Sequence, residues 1–185
     1  MVSVPARADV QGGLEETCGD YNPSEWRALQ WDAGAGQYTE FPDLSSDAFT
    51  PGKAFWLISK SGTAPAVGAG TTVDASTPDT LSLAAGWHQI GSPFGFAVPW
   101  SAVQDSSGLS EGAIDGPFGY DGEDFQGPSD VLAPWVGYFV FVEESETLVV
   151  PPVGASGTSG KGSEQSLARS FEAKASGAGS KATDG

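Results

Sequence analysis

A short aromatic strand occurs twice in this chain, and the rest must fold around it. The first copy is Pro51-Gly52-Lys53-Ala54-Phe55-Trp56-Leu57-Ile58, and the second is Pro134-Trp135-Val136-Gly137-Tyr138-Phe139-Val140-Phe141-Val142. Each has a proline, two intervening residues, a small residue, two aromatics and an aliphatic run. Aromatic and β-branched side chains fit the pleated, half-buried surface of a sheet. Both stretches therefore read as central strands. The small residue in each, Ala54 or Gly137, leaves room for a facing strand or ring to come close.

The sequence around them reads as further short strands separated by turns. The 185 residues include 26 Gly and 13 Pro but only 17% charged residues, which suits many strands joined by turns. Strands are expected at Met1–Arg7, Glu25–Asp32, Gln37–Phe41, Thr80–Leu83, around Trp87–Ile90 and at Thr147–Pro151, with weak edge strands between Ala64 and Val73. Ala33-Gly34-Ala35-Gly36 and Asp121-Gly122 mark tight hairpin turns. Pro42–Thr50, residues 104–116 and Gln126–Leu132 read as loops. Within residues 1–153 helical turns are expected at Gly13–Thr17 and from Trp100. Val2-Ser3-Val4-Pro5 reads as the middle of a strand, which suggests either a chain cut from a longer protein or a wrongly placed gene start.

Several features keep the same order in two halves. Ser3-Val4-Pro5 matches Gly91-Ser92-Pro93. The hairpin with Trp31, Asp32 and Tyr38 matches the one with Tyr120, Asp121 and Phe125, and the aromatic strands match each other. The expectation is an all-β, β-sandwich-like domain over residues 1–153, made of two related halves, about 1–80 and 81–153, with a pseudo-twofold internal repeat. Gly154–Ser163 has the composition of a flexible linker. Glu164–Ala175 could place Leu167, Ala168 and Phe171 on one helical face or be the start of a following domain, and Gly177–Gly185 reads as disordered tail.

Charge narrows the partners. Twenty-four acidic against eight basic residues give −16, and residues 1–153 hold only Arg7, Arg27, Lys53 and Lys60. A phosphate backbone would be repelled, so nucleic acid is not expected as a partner. No apolar run approaches the roughly 20 residues that span a bilayer, so no membrane insertion is expected either. The acidity fits solubility by self-repulsion, as in salty environments. Calcium would need denser oxygen-ligand spacing than any loop here supplies. Cys18 is the only cysteine and His88 the only histidine, too few for a zinc set. Acids flanking Cys18 disfavour its thiolate. No cofactor or metal is expected.

Catalytic motifs are weak. His88 could be imagined with Ser92 or Ser101 in a triad, but no Gly-x-Ser-x-Gly elbow is present, and a lone strand histidine is ordinarily structural. The pairs Asp121/Asp124 and Glu143/Glu144 could serve a glycosidase, yet they lie in hairpin turns, where solvated acids are ordinary. Gly34-Ala35-Gly36 lacks the helix and lysine of a phosphate loop. The aromatics remain: six Trp, ten Phe and four Tyr. Most are expected to fill a core poor in other large apolar residues. Phe94, Phe96, Trp100 and Trp135 lie in or beside loops and are the candidate ligand contacts.

Trp26, Arg27, Tyr38, Pro51–Ile58, Gly86-Trp87, Gln89-Ile90-Gly91, Pro93-Phe94, Trp100, Pro134-Trp135 and Gly137-Tyr138 together resemble a repeat-containing β module. Such modules occur in large secreted and cell-surface proteins of Bacteroidetes-like and halophilic bacteria, often beside fibronectin-type or sorting domains. The resemblance covers about residues 1–153 and carries no catalytic residues. It implies a non-enzymatic extracellular structural or interaction module whose partners are neighbouring domains of a longer polypeptide. A carbohydrate-binding module using the loop aromatics, with polysaccharide as partner, is the second expectation.

Overall fold

Alternation of side chains along the aromatic stretches builds the sheets. A computed structural model describes residues 1–62, 67, 69–110 and 112–155. In chain order these form β1 (Val2–Ser3), β2 (Ala6–Ala8), α1 (Val10–Cys18), β3 (Trp26–Asp32), β4 (Gln37–Glu40), a 3-10 helix (Ser46–Phe49), β5 (Ala54–Ser59), β6 (Gly70–Thr72), β7 (Asp79–Leu83) and β8 (Gly86–Gly91). There follow β9 (Val98–Pro99), α2 (Trp100–Ser107), β10 (Ile114–Tyr120), β11 (Phe125–Gln126), β12 (Val131–Leu132), β13 (Gly137–Val142) and β14 (Glu146–Val150). The fold is all-β, with every pairing between these strands antiparallel.

One four-stranded sheet has the order β1-β5-β3-β4 and another the order β8-β13-β10-β11. Both aromatic stretches are central strands, as their composition requires. Each strand begins later than its sequence suggests, because the residues before it turn: Gly52 and Trp135 have φ of 87° and 67°. Three two-stranded ribbons, β2-β6, β9-β12 and β7-β14, complete the pairing. Thus the stretch from Gln126 to Leu132, expected as loop, contributes strand residues at both ends, and β6 is the part of the expected Ala64–Val73 edge strands that lies among the described residues. The expected linker beyond Ala155, the helix at Glu164–Ala175 and the tail lie outside them.

Each sheet buries one face. On the first, Trp26 and Ala28 of β3 and Phe55 of β5 pack with Val10 and Leu14 of α1 and with Phe41, Leu44 and Phe49. On the second, Ile90, Tyr138, Val140 and Val142 pack with Trp100 and Val103 of α2 and with Leu81, Leu83, Leu148 and Val150 of the β7-β14 ribbon. Full burial of one such side chain is worth about 1.5–3 kcal/mol, so these two clusters carry the fold. The helices are held at their ends. Asp9 accepts a hydrogen bond from the Gly12 N–H at the start of α1, and Gly108 ends α2 in the left-handed region at φ 63°.

The opposite faces carry Trp56 on β5 and Phe139 on β13. Their rings meet at 6.2 Å, joining the two sheets. Between the sheets Gln89 is buried, and its Oε1 accepts the Trp31 backbone N–H at 2.6 Å. The small residues do what their size allows. A Cβ on Gly137 would stand 2.7 Å from the Cβ of Ala54, so the chains cross where the side chains are smallest.

Candidate functional site

Rings on the faces away from the two cores form one continuous ribbon. Trp31 and Tyr38, on neighbouring strands of the first sheet, meet at 5.1 Å. Tyr38 Oη accepts the Trp56 Nε1–H at 3.2 Å. Trp56 then reaches across to Tyr120, Phe125 and Phe139, at 5.0, 6.4 and 6.2 Å. Trp87 continues the ribbon to Phe139, Phe118 and Phe141, at 6.1, 6.2 and 5.2 Å. Four of these pairs are edge-to-face and three tilted, and such ring pairs contribute about 0.5–1.5 kcal/mol each beyond the area they bury.

The ribbon opens into a groove of about 390 Å³ lined by Tyr38, Trp87, Phe118, Phe125 and Phe139. Phe139 is its floor at 8% exposed, while Tyr38, Trp87 and Phe125 stand at 44%, 41% and 56%. Trp87 and Phe125 rise at 84° and 70° to the plane of Phe139. The hairpin turn between Tyr120 and Phe125 carries exposed Glu123 and Asp124. In that turn Asp121 Oδ1 accepts the N–H groups of both, each at 2.9 Å. Those two bonds hold the Asp121 carboxyl below its usual range. An acidic edge therefore sits beside the rings.

A second, larger cleft of about 780 Å³ is polar, with Arg7, Lys53, His88, Asp32, Asp43 and Asp79 among its walls. His88 Nε2 lies 2.7 Å from the Ala84 carbonyl oxygen. A carbonyl can only accept, so Nε2 carries the proton and Nδ1 is the basic nitrogen. Burial pushes the Asp79 carboxyl up, and nearby Arg7 draws it partly back. The prospective triad does not form one unit. Ser92 is buried and donates to the carbonyls of Phe94 and Phe96, and Ser101 lies exposed on α2. Glu143 and Glu144 are exposed in the turn before β14. Cys18 is half-buried, and burial, rather than the flanking acids, raises its thiol. Among the described residues no three His, Cys, Asp or Glu side chains gather to hold a metal.

The structure separates the four rings chosen from sequence. Phe94 and Trp100 are buried in the second core and present no face to a ligand. Phe96 packs on that core, stacked on Phe94 at 5.2 Å. The segment from Phe94 to Trp100 reads as a loop, but it folds inward because Ser92 Oγ ties down its carbonyls. Only Trp135 is open, at 51%, and it stands outside the groove lining. The rings that do share an open surface, above all Trp87, Tyr38 and Phe125, are not among those four. Their signal was alternation: on β13, Tyr138 and Val140 point to the core while Phe139 and Phe141 point away.

No helix among the described residues is long and apolar enough to cross a membrane. Searches of protein-family models, curated proteins and solved structures find no match to this chain.

Proposed function

We propose that this chain is a non-catalytic interaction module and that the aromatic groove is its contact surface. The observation that carries this reading is the open, ring-lined space between the sheets. A monomer that needed these rings only for stability would bury them as it buries Trp26 and Phe55. An extracellular setting, within a larger secreted or surface protein and beside neighbouring domains, is supported by the resemblance of residues 1–153 and by the acidic composition. The carbohydrate reading based on loop aromatics keeps only Trp135 as an open ring and is not carried further.

The reading includes two related halves. Its support is register. Ser3 pairs with Ala54 as Gly91 pairs with Gly137. The bridge Val2–Val136 has its counterpart in Ile90–Lys53. The bond from Gly91 N–H to the Gly52 carbonyl is matched by that from Ser3 N–H to the Trp135 carbonyl. Asp32 Oδ1 accepts two turn N–H groups, as Asp121 Oδ1 does. Since β7 pairs with β14, the boundary between the halves falls before Asp79.

The test is the double variant W87A/F125A. Trp87 and Phe125 are 41% and 56% exposed and each also packs against neighbouring rings, so its Tm is expected to fall, but by less than about 10 °C, while retention of ligands found on glycan and peptide arrays is lost. A fall of about 10 °C or more, with array binding unchanged, would make the ribbon a structural seam and end the reading.

A further inference from the structure

We propose that the groove binds a small quaternary ammonium cation, received over Phe139 and between Trp87 and Phe125. This rests on the groove being a binding surface and adds the ligand class.

The chemistry of the lining selects the ligand. Five side chains line the groove, and all five are aromatic. Each aromatic ring has a negative face, so a box of rings attracts a cation that carries little hydration. A quaternary ammonium group has no N–H to satisfy and a methylated, apolar surface. It therefore loses little on leaving water, whereas a primary ammonium would give up its hydrogen bonds to water for a lining whose one oxygen is Tyr38 Oη. Trp87 and Phe125 stand at steep angles to Phe139, 84° and 70°, so the rings that line the space do not lie in one plane.

A sugar fits less well. Its hydroxyls need several partners, and the lining supplies only Tyr38 Oη and Trp87 Nε1, with Tyr38 Oη already accepting the Trp56 N–H. Charge points the same way. The chain is at −16, and Glu123 and Asp124 stand in the turn beside the groove. Among the described residues the side-chain cations are all placed elsewhere. Arg27 and Lys60 pair with Glu40 and Glu25, and Arg7 and Lys53 line the polar cleft. None of these four described side chains competes for the rings.

The experiment titrates choline, tetramethylammonium and 3,3-dimethylbutan-1-ol, the neutral isostere of choline, into the full 185-residue chain. Binding is followed by calorimetry and tryptophan fluorescence. Saturable binding of both cations is expected, with the isostere at least about ten-fold weaker, since a desolvated cation–ring contact supplies most of the attraction. W87A is expected to weaken choline about ten-fold or more, and W87F to recover part of that loss, which keeps the result readable if W87A folds poorly. E123Q/D124N is expected to weaken the cations and leave the isostere unchanged. Equal binding of the isostere would overturn the ligand class while leaving the groove a binding surface. Binding of neither cation would also overturn it, and the array and Tm results for W87A/F125A would then decide separately whether the groove binds anything.

Discussion

The turns that launch the two aromatic strands have the same backbone shape and different residues. Pro51-Gly52 leads into β5 with Gly52 at φ 87°, and Pro134-Trp135 leads into β13 with Trp135 at φ 67°. Trp135 is the only non-glycine residue with positive φ among the described residues. A left-handed backbone costs a residue with a Cβ about 1–2 kcal/mol, so glycine is the expected choice at both. Surroundings explain the difference. A Cβ on Gly52 would come within 2.7 Å of Leu81 Cδ2, whereas the Trp135 side chain has open solvent. At Gly52 packing and backbone both exclude a side chain. At Trp135 only the backbone objects, and the fold absorbs that cost. Each turn also supplies a carbonyl to the other sheet, Gly52 to Gly91 and Trp135 to Ser3, so the bend cannot simply relax.

The comparison breaks most readily at the crossing point. Gly137 faces Ala54 so closely that one methyl has no space. G137A is expected to cost about 2–3 kcal/mol in urea unfolding, against less than about 1 kcal/mol for A54G beyond the loss of its methyl. A mild G137A would mean that the strands shift apart easily. Next come the turns themselves. G52A is expected to lose about 1–2 kcal/mol from strain and the Leu81 contact. W135G is expected to stay within about 0.5 kcal/mol of the parent, because relief of the left-handed strain offsets the greater freedom of glycine in the unfolded chain. Equal losses at both turns would show that the Trp135 ring holds its bend and that the two sites do not differ as argued.

The smallest expected effect separates the outer surfaces of the two sheets. On the first, Arg27 and Glu40 pair on neighbouring strands at 2.6 Å. On the second, Asp115 sits at the register position corresponding to Arg27, beside Phe141, and makes no ion pair among the described residues. Hydrogen bonding from Arg27 holds the Glu40 carboxyl below its ordinary 4.5. A depressed carboxyl stabilises the fold above its ordinary value, and that contribution disappears as pH falls through the lowered folded value. E40Q is expected to cost about 0.5 kcal/mol at pH 7, in line with exposed pairs, and progressively less as pH falls through the lowered Glu40 value. A loss unchanged by acid would assign the effect to the Tyr21 hydroxyl, which also donates to Glu40 at 2.8 Å.

Much of the fold was legible because local chemistry writes it. Alternating rings and β-branched residues marked β5 and β13, Asp121-Gly122 marked its hairpin, and the two short helices fell where helical turns were read, around Gly13–Thr17 and from Trp100. The candidate site was not legible in the same way. Phe94 and Trp100 lie among glycines and prolines that look like an exposed loop, yet the Ser92 hydroxyl and the second core draw them inward. Trp87 and Phe125 lie in strands that look like core, yet they face a groove. Whether a ring on a strand is covered depends on what packs on that face, and the strand itself carries no record of it.

By itself, the sequence determined an acidic all-β chain with two central aromatic strands, each preceded by a turn and opened by a small residue. Those properties follow from side-chain shape and backbone preference within a few residues. Only the tertiary structure decided that Phe55 and Tyr138 enter separate cores while Trp56 and Phe139 meet between the sheets. It also decided that a groove is left open beside them. Both depend on how two sheets distant in sequence pack together, with Gly137 against Ala54 setting how close they come.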